Sequence, residues 1–177
     1  LRIVVQKFGG TSLATPESRQ RVCSIIMDAR QKGYAPVVVV SAIGREDDPY
    51  ATDTFIKLIK AVNPNPAPRE MDLLLSCGEL ISGVLLASQL SAQGVEASYV
   101  SGEKAGIITD GNYNDAHILF VKPQRIMEML EQGLVPVVAG FQGVGENGEL
   151  PTLGRGGSDT TASALGVALQ AEVIDIF

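Results

Sequence analysis

Arg2-Ile3-Val4-Val5-Gln6-Lys7-Phe8-Gly9-Gly10-Thr11-Ser12 opens the chain and decides how the rest is read. Branched apolar residues at its start predict a buried strand, which runs into a lysine, a glycine pair and two hydroxyls. Thr15-Pro16-Glu17 follows with the marks of a helix start, a capping threonine and a proline at the first helical position. A strand, a glycine loop and a helix in succession turn backbone N–H groups toward an anion. Lys7, at the strand end, stands within reach of the same anion, so phosphate chemistry is the first functional expectation.

The spacing then predicts a helix over 16–32 with an apolar stripe of Val22, Ile25, Ile26 and Ala29, stopped by Gly33. Pro36-Val37-Val38-Val39-Val40-Ser41 is apolar on both sides, the pattern of a parallel strand covered by helices. Together these make a βαβ unit whose strands end at one crevice. Residues 42–51 read as an exposed loop, 52–62 as a helix and 63–68 as a proline-rich break. A helix is expected over 71–93, interrupted early by Ser76-Cys77-Gly78-Glu79, with Leu80, Val84, Ala87 and Leu90 or Ser91 following the helical period as its apolar stripe.

Further strands are expected at 95–100, at 118–121 and at 135–141, with a short strand ending in a polar turn within 105–112 and a helix over 124–132. A hairpin turn lies at 145–149. Ser158 is expected to cap a helix over 160–169, and a last strand starts near Ala171. This alternation predicts an α/β sandwich with a mainly parallel sheet.

The 177 residues suffice for one well-packed domain, 45% hydrophobic and 19% charged. A formal charge of -6 with no basic cluster gives no support to a nucleic-acid partner. The cysteines, Cys23 and Cys77, form no metal motif, and the one histidine, His117, shows no partner in sequence. No signal segment and no membrane-spanning run is read, so a cytoplasmic protein is expected. The end in Val173-Ile174-Asp175-Ile176-Phe177 reads as a strand cut short.

Two glycine turns precede helices, Gly9-Gly10-Thr11-Ser12 and Gly154-Arg155-Gly156-Gly157-Ser158-Asp159. Neither matches a P-loop or a dinucleotide fingerprint. Lys7 is either a solvated strand-end lysine or a point charge for a transferring phosphoryl group. Arg155 is a loop arginine or a fork for a carboxylate or phosphate. Asp159 favours the positive end of its helix, holds Lys7, or meets magnesium through water. Glu79 caps a helix or receives an ammonium group, while Asp110 and Asn112 read as turn residues.

Lys7-Phe8-Gly9-Gly10-Thr11-Ser12, Ser76-Cys77-Gly78-Glu79 and Gly154-Arg155-Gly156-Gly157-Ser158-Asp159-Thr160-Thr161 resemble the signatures of the aspartokinases, in the amino acid kinase family. Asp48-Pro49-Tyr50-Ala51-Thr52-Asp53 and Gly140-Phe141-Gln142-Gly143 add to the resemblance, which runs the length of the chain. It implies an amino acid kinase-like (carbamate kinase-like) three-layer α/β sandwich. It also implies transfer of the ATP γ-phosphoryl group to the side-chain carboxylate of L-aspartate, the first step toward lysine, threonine, methionine and diaminopimelate. ATP and Mg2+ are the implied cofactors.

By the same resemblance Lys7 contacts the transferring phosphoryl group, and Gly9, Gly10 and Ser12 line its loop. Arg155 binds the α-carboxylate of aspartate, Glu79 serves its amino group, and Ser41 and Thr52 lie near its pocket. Asp159 organises Lys7, and Gly157 and Ser158 form a phosphate-facing turn. The chain is read as a partial kinase domain over 1–177, with an aspartate-binding lobe over about 1–153 and the start of a nucleotide lobe over 154–177. A homo-oligomeric parent with regulatory ACT domains is implied. The loop Ser101-Gly102-Glu103-Lys104-Ala105-Gly106 departs from the family pattern by its extra charges. Another amino acid kinase, and an aspartate-binding fragment without turnover, are the competing readings.

Overall fold

Alternate residues of the valine run in the second strand enter two different cores. Val37 and Val39 join one apolar cluster, and Val38 and Val40 the other. This period of two is what a strand buried on both faces requires. The computed structural model describes all residues, 1–177.

In chain order the elements are β1 (Arg2–Phe8), the single-turn α1 (Gly10–Leu13), α2 (Pro16–Gln31), β2 (Tyr34–Val40), α3 (Thr52–Val62) and α4 (Pro68–Ser91). There follow β3 (Ala97–Val100), β4 (Ile107–Thr109), β5 (Ile118–Val121), α5 (Gln124–Glu131), β6 (Val135–Ala139), α6 (Gly157–Ala168) and β7 (Val173–Ile176). Five strands form one sheet in the order β3-β6-β2-β1-β7, every neighbouring pair parallel. β4 and β5 pair antiparallel in a small second sheet. One face of the large sheet packs on α2 and α4 through Val22, Ile26, Leu86 and Leu90. The other packs on α5 and α6 through Ile126, Met129, Leu130, Ala162 and Leu165. The result is the expected three-layer α/β sandwich.

Most element positions follow the patterning, with four differences. The Gly9-Gly10-Thr11-Ser12 stretch is not an open loop, because Gly10–Leu13 close one helical turn. Ser76-Cys77-Gly78-Glu79 does not interrupt α4, which runs unbroken from a proline at its first position. Gly78 is there for space. A Cβ on it would stand 2.6 Å from the Cβ of Ala42, so glycine lets the helix press against the segment after β2.

The buried stripe of α4 is also differently phased. Asp72, Leu75, Glu79, Ser82, Leu86 and Leu90 are inside, whereas Leu80 and Val84 are exposed. By length and composition α4 is apolar enough to cross a membrane, contrary to the expectation from sequence, but its inner face carries two carboxyl groups and packs on the sheet. Finally, α6 starts at Gly157 with Gly156 in the left-handed conformation as its cap. Ser158 therefore sits buried inside the first turn rather than at the cap.

The phase of α4 is testable by truncation. Leu86→Ala removes a fully buried side chain and should cost about 2–5 kcal/mol in urea unfolding. Leu80→Ala, on the outer face, should stay within about 0.5 kcal/mol of the wild type.

Candidate active site

The parallel register carries the ends of β1 and β2 to the same edge of the sheet, Phe8 opposite Val40. The pairing continues past the strands. The Ser41 amide donates to the Phe8 carbonyl at 3.1 Å and the Gly44 amide to the Gly10 carbonyl at 2.9 Å. Gly10 permits this contact, since a Cβ there would lie 2.5 Å from the Gly44 carbonyl oxygen. Above this edge lies a cleft of about 590 Å³, bounded by the ends of β1 and β2, the starts of α3 and α4, and the turn before α6.

Lys7 lines the cleft, and its Nζ lies 2.7 Å from Asp159 Oδ1, with 12% of the lysine side chain exposed. The ion pair joins the end of β1 to the first turn of α6, so it fixes where the ammonium stands. Arg155 lines the cleft from the turn before α6, between two left-handed glycines, Gly154 at φ 73° and Gly156 at φ 76°. Its guanidinium is exposed and makes no ion pair of the kind that holds Lys7.

Glu79 comes up from the cleft floor. Its Oε1 accepts the Ala42 amide at 2.9 Å, while the buried Oε2 has no partner. Burial pushes this carboxyl up to about 8, partly offset by the Ala42 N–H, which favours the ionised form. A buried carboxyl that lines the cleft with one oxygen unpartnered is suited to a cation or to a donor brought by a ligand.

Of the residues singled out by sequence, the cleft gathers Lys7, Gly10, Ser41, Thr52, Glu79, Arg155, Gly157, Ser158 and Asp159. Gly9 and Ser12 do not line it. The Gly9 amide donates to the Phe177 carbonyl, and the Ser12 amide closes the α1 turn on the Gly9 carbonyl. Ser41 presents its backbone to α4, its carbonyl accepting the Ser82 hydroxyl at 2.7 Å. Asp110 and Asn112 stand apart from the cleft as turn residues.

His117 has a partner after all. Its Nδ1 lies 3.2 Å from Asp110 Oδ2, and the Asp110 carboxyl is held below its ordinary value chiefly by the Asn112 N–H. The two residues are seven apart and meet only because β4 and β5 pair. No group of three His, Cys, Asp or Glu side chains could hold a metal ion.

Arg45, Asp53, Lys60, Asn114 and Thr152 also line the cleft; of these only Asp53 was signalled by the sequence, as part of the Asp48–Asp53 stretch. Arg45 and Lys60 carried no local mark. Thr152 follows a proline in the hairpin return, which patterning treats as connection. With Lys7 and Arg155 they give the cleft four cations against three carboxyl groups, one of them Glu79. The local field is thus favourable to an anion although the whole chain is acidic.

The chain belongs to the amino acid kinase family, whose model matches residues 2–177. It is 49% identical over 177 residues to "Aspartokinase 1" of Bacillus subtilis, covering 100% of this chain and 44% of that protein. Among solved structures, aspartate kinase from Synechocystis superposes with a TM-score of 0.80 at 43% identity, over 98% of this chain and 28% of the other. Aspartokinase III of E. coli, in complex with aspartate and ADP, gives 0.83 at 25% identity, over 99% and 48%. The chain thus spans less than half the length of the curated relatives it matches.

The state of Glu79 sets a pH signature. Its folded value of about 8 lies above the ordinary 4.5. The folded protein therefore keeps a proton that the unfolded chain has lost between these values. The stability this proton contributes is complete below the unfolded value and is lost as pH rises through the folded one. Glu79→Gln should remove that dependence. Urea midpoints of variant and wild type should move apart in the variant's favour from about pH 5 to about pH 8 and run parallel above.

Proposed function

We infer that this chain forms the aspartate-binding part of an ATP-dependent aspartate kinase. The reaction is transfer of the γ-phosphoryl group to the side-chain carboxylate of L-aspartate, giving 4-phospho-L-aspartate. The observation that carries this reading is the convergence of three groups on one cleft: Lys7 fixed by Asp159, the free fork of Arg155 and the unpaired oxygen of Glu79. The names of the relatives, and the aspartate and ADP in the E. coli structure's title, support it.

The chemistry needs no general base, because a carboxylate with a pKa of about 4 is already an anion near neutral pH. What it needs is a place where two anions meet and where developing charge is stabilised. Lys7 serves the transferring phosphoryl group, and the ion pair to Asp159 keeps it from relaxing toward solvent. Arg155 takes the α-carboxylate of aspartate in a two-point contact. Glu79 takes the ammonium group, whose charge beside Oε2 favours the ionised carboxylate over the protonated one. Ser41 and Thr52 bound the aspartate side of the cleft.

The amides of Gly10 and Ser158 find no acceptor within the protein. Both residues line the cleft and suit the phosphate oxygens of ATP, with Gly157 packing the turn where a Cβ would meet Leu153 and Phe141. Gly9 and Ser12 act one step back, by closing the turn that holds Gly10. A magnesium ion bound with the nucleotide would neutralise part of its charge, and Asp159, beside Lys7, is the carboxylate that would hold it through water. Residues 154–177 then begin the nucleotide lobe, and about 1–153 form the aspartate lobe. The full protein is assigned to the cytoplasm, as a homo-oligomer with regulatory ACT domains and no nucleic-acid or membrane partner.

The test is ADP release with L-aspartate and Mg-ATP in the full-length protein. Aspartate-dependent turnover is expected, with Lys7→Ala lowering kcat by roughly 10²–10³-fold. Turnover with acetylglutamate, glutamate or carbamate in place of aspartate would move the assignment to another member of the family. Saturable aspartate binding without any turnover would leave a binding module.

A further inference from the structure

Asp72 is fully buried in the second turn of α4, yet it does not line the cleft. A carboxyl group in such a place is costly unless its oxygens are fully used. They are. Oδ2 accepts the amides of Asn114 and Thr152, both at 2.8 Å, and Oδ1 accepts the Thr152 hydroxyl at 3.0 Å. All three donors are neutral, so the residue is held by hydrogen bonds to two segments far from it in sequence.

Both of those segments border the cleft, and both Asn114 and Thr152 line it. They are also tied to each other, the Ala116 amide donating to the Thr152 carbonyl at 2.9 Å. Asn114 is held in the left-handed conformation at φ 65°. Gly154, two residues beyond Thr152, packs on this turn so closely that a Cβ would lie 3.0 Å from Asp115 Oδ1 and 3.2 Å from the Asn114 carbonyl. Arg155 is the next residue. Its backbone position is therefore set by the turn at 114–115, and that turn is set by Asp72.

The geometry points to Asp72 as a positioning residue that clamps the turn at Asn114 to the segment at Thr152 and so places the Arg155 side chain over the cleft. This rests on the reading of Arg155 as the group that binds the substrate's α-carboxylate. Asp72 touches neither substrate nor nucleotide. It acts through the two backbone amides that it holds.

Asparagine separates this role from simple burial of a polar group. The carbonyl oxygen of Asp72→Asn can take over both amides, and its NH2 can donate to the Thr152 hydroxyl, which then accepts. Alanine can do neither. In the full-length protein Asp72→Ala should raise the KM for aspartate about ten-fold or more, leaving the KM for ATP within about two-fold. Asp72→Asn should restore the aspartate KM to within about three-fold of wild type.

Hydrogen exchange gives a readout that needs no substrate. Peptides over 112–116 and 150–157 should be protected in the wild type, lose protection locally in Asp72→Ala and recover it in Asp72→Asn. The proposal is overturned by fast exchange of these amides in the wild type, which needs no variant to fold. It is equally overturned by an unchanged aspartate KM in a folded Asp72→Ala, or by an Asp72→Asn as impaired as the alanine. A wild type that does not turn aspartate over sinks the kinase reading instead, and the exchange pattern then decides the clamp alone.

Discussion

The in-register pairing of β1 with β2 is the constraint on which the site depends. It runs from Arg2 opposite Tyr34 to Phe8 opposite Val40, and two further backbone hydrogen bonds carry it to Gly10 and Gly44. A slip of one residue would turn Lys7 and Phe8 each to the face it does not now occupy. Phe8 would leave its core, and the ammonium of Lys7 would lose Asp159. Burial of the valines on both faces opposes such a slip, so the geometry of a charged cleft is held by apolar packing beneath it. This is a general advantage of doubly covered parallel sheets, whose strand ends are rigid platforms for side chains that themselves contribute little to stability.

Upon that platform the cleft is closed by polar contacts of a different kind. α4 carries Glu79 and Asp72 on the same buried stripe, seven residues apart. One lines the cleft with a buried oxygen unused, the other spends both oxygens on the surrounding loops. Two carboxyl groups on one helix thus have opposite tasks, set by what their oxygens meet. The glycines at 10 and 78 make the arrangement possible by letting backbone and helix approach more closely than a Cβ allows. Polarity, space and charge are each supplied by a separate residue.

The outline of the fold was legible because strand and helix periods are strong where cores are apolar. β1, α2, β2, α3 and α5 follow their patterns nearly to the residue. α4 was misread for a physical reason. Asp72, Glu79 and Ser82 occupy positions that patterning reserves for apolar side chains, and Gly78 resembles a break while serving as a contact. The same residues that hid the helix's true face are the ones that build the site. Asp72 had a signal, since it precedes Leu75 and Glu79 at helical spacing, but a polar residue in a stripe is recognised only once the phase is known. The His117–Asp110 contact and the role of Thr152 depend on chain pairing, which no local pattern contains.

The strand order has a consequence for how the chain is made. Among the strands of this chain β1 and β2 come first in sequence, yet their outer neighbours in the sheet are β7 and β6, the last two of them. At a synthesis rate of about 5–20 residues per second, the early βαβ unit waits on the order of ten seconds with both edges unpaired. During that interval its valine-rich strands offer backbone donors and acceptors to any other chain nearby. Production of this protein is thereby exposed to crowding on the ribosome and to slowed translation between β2 and β6.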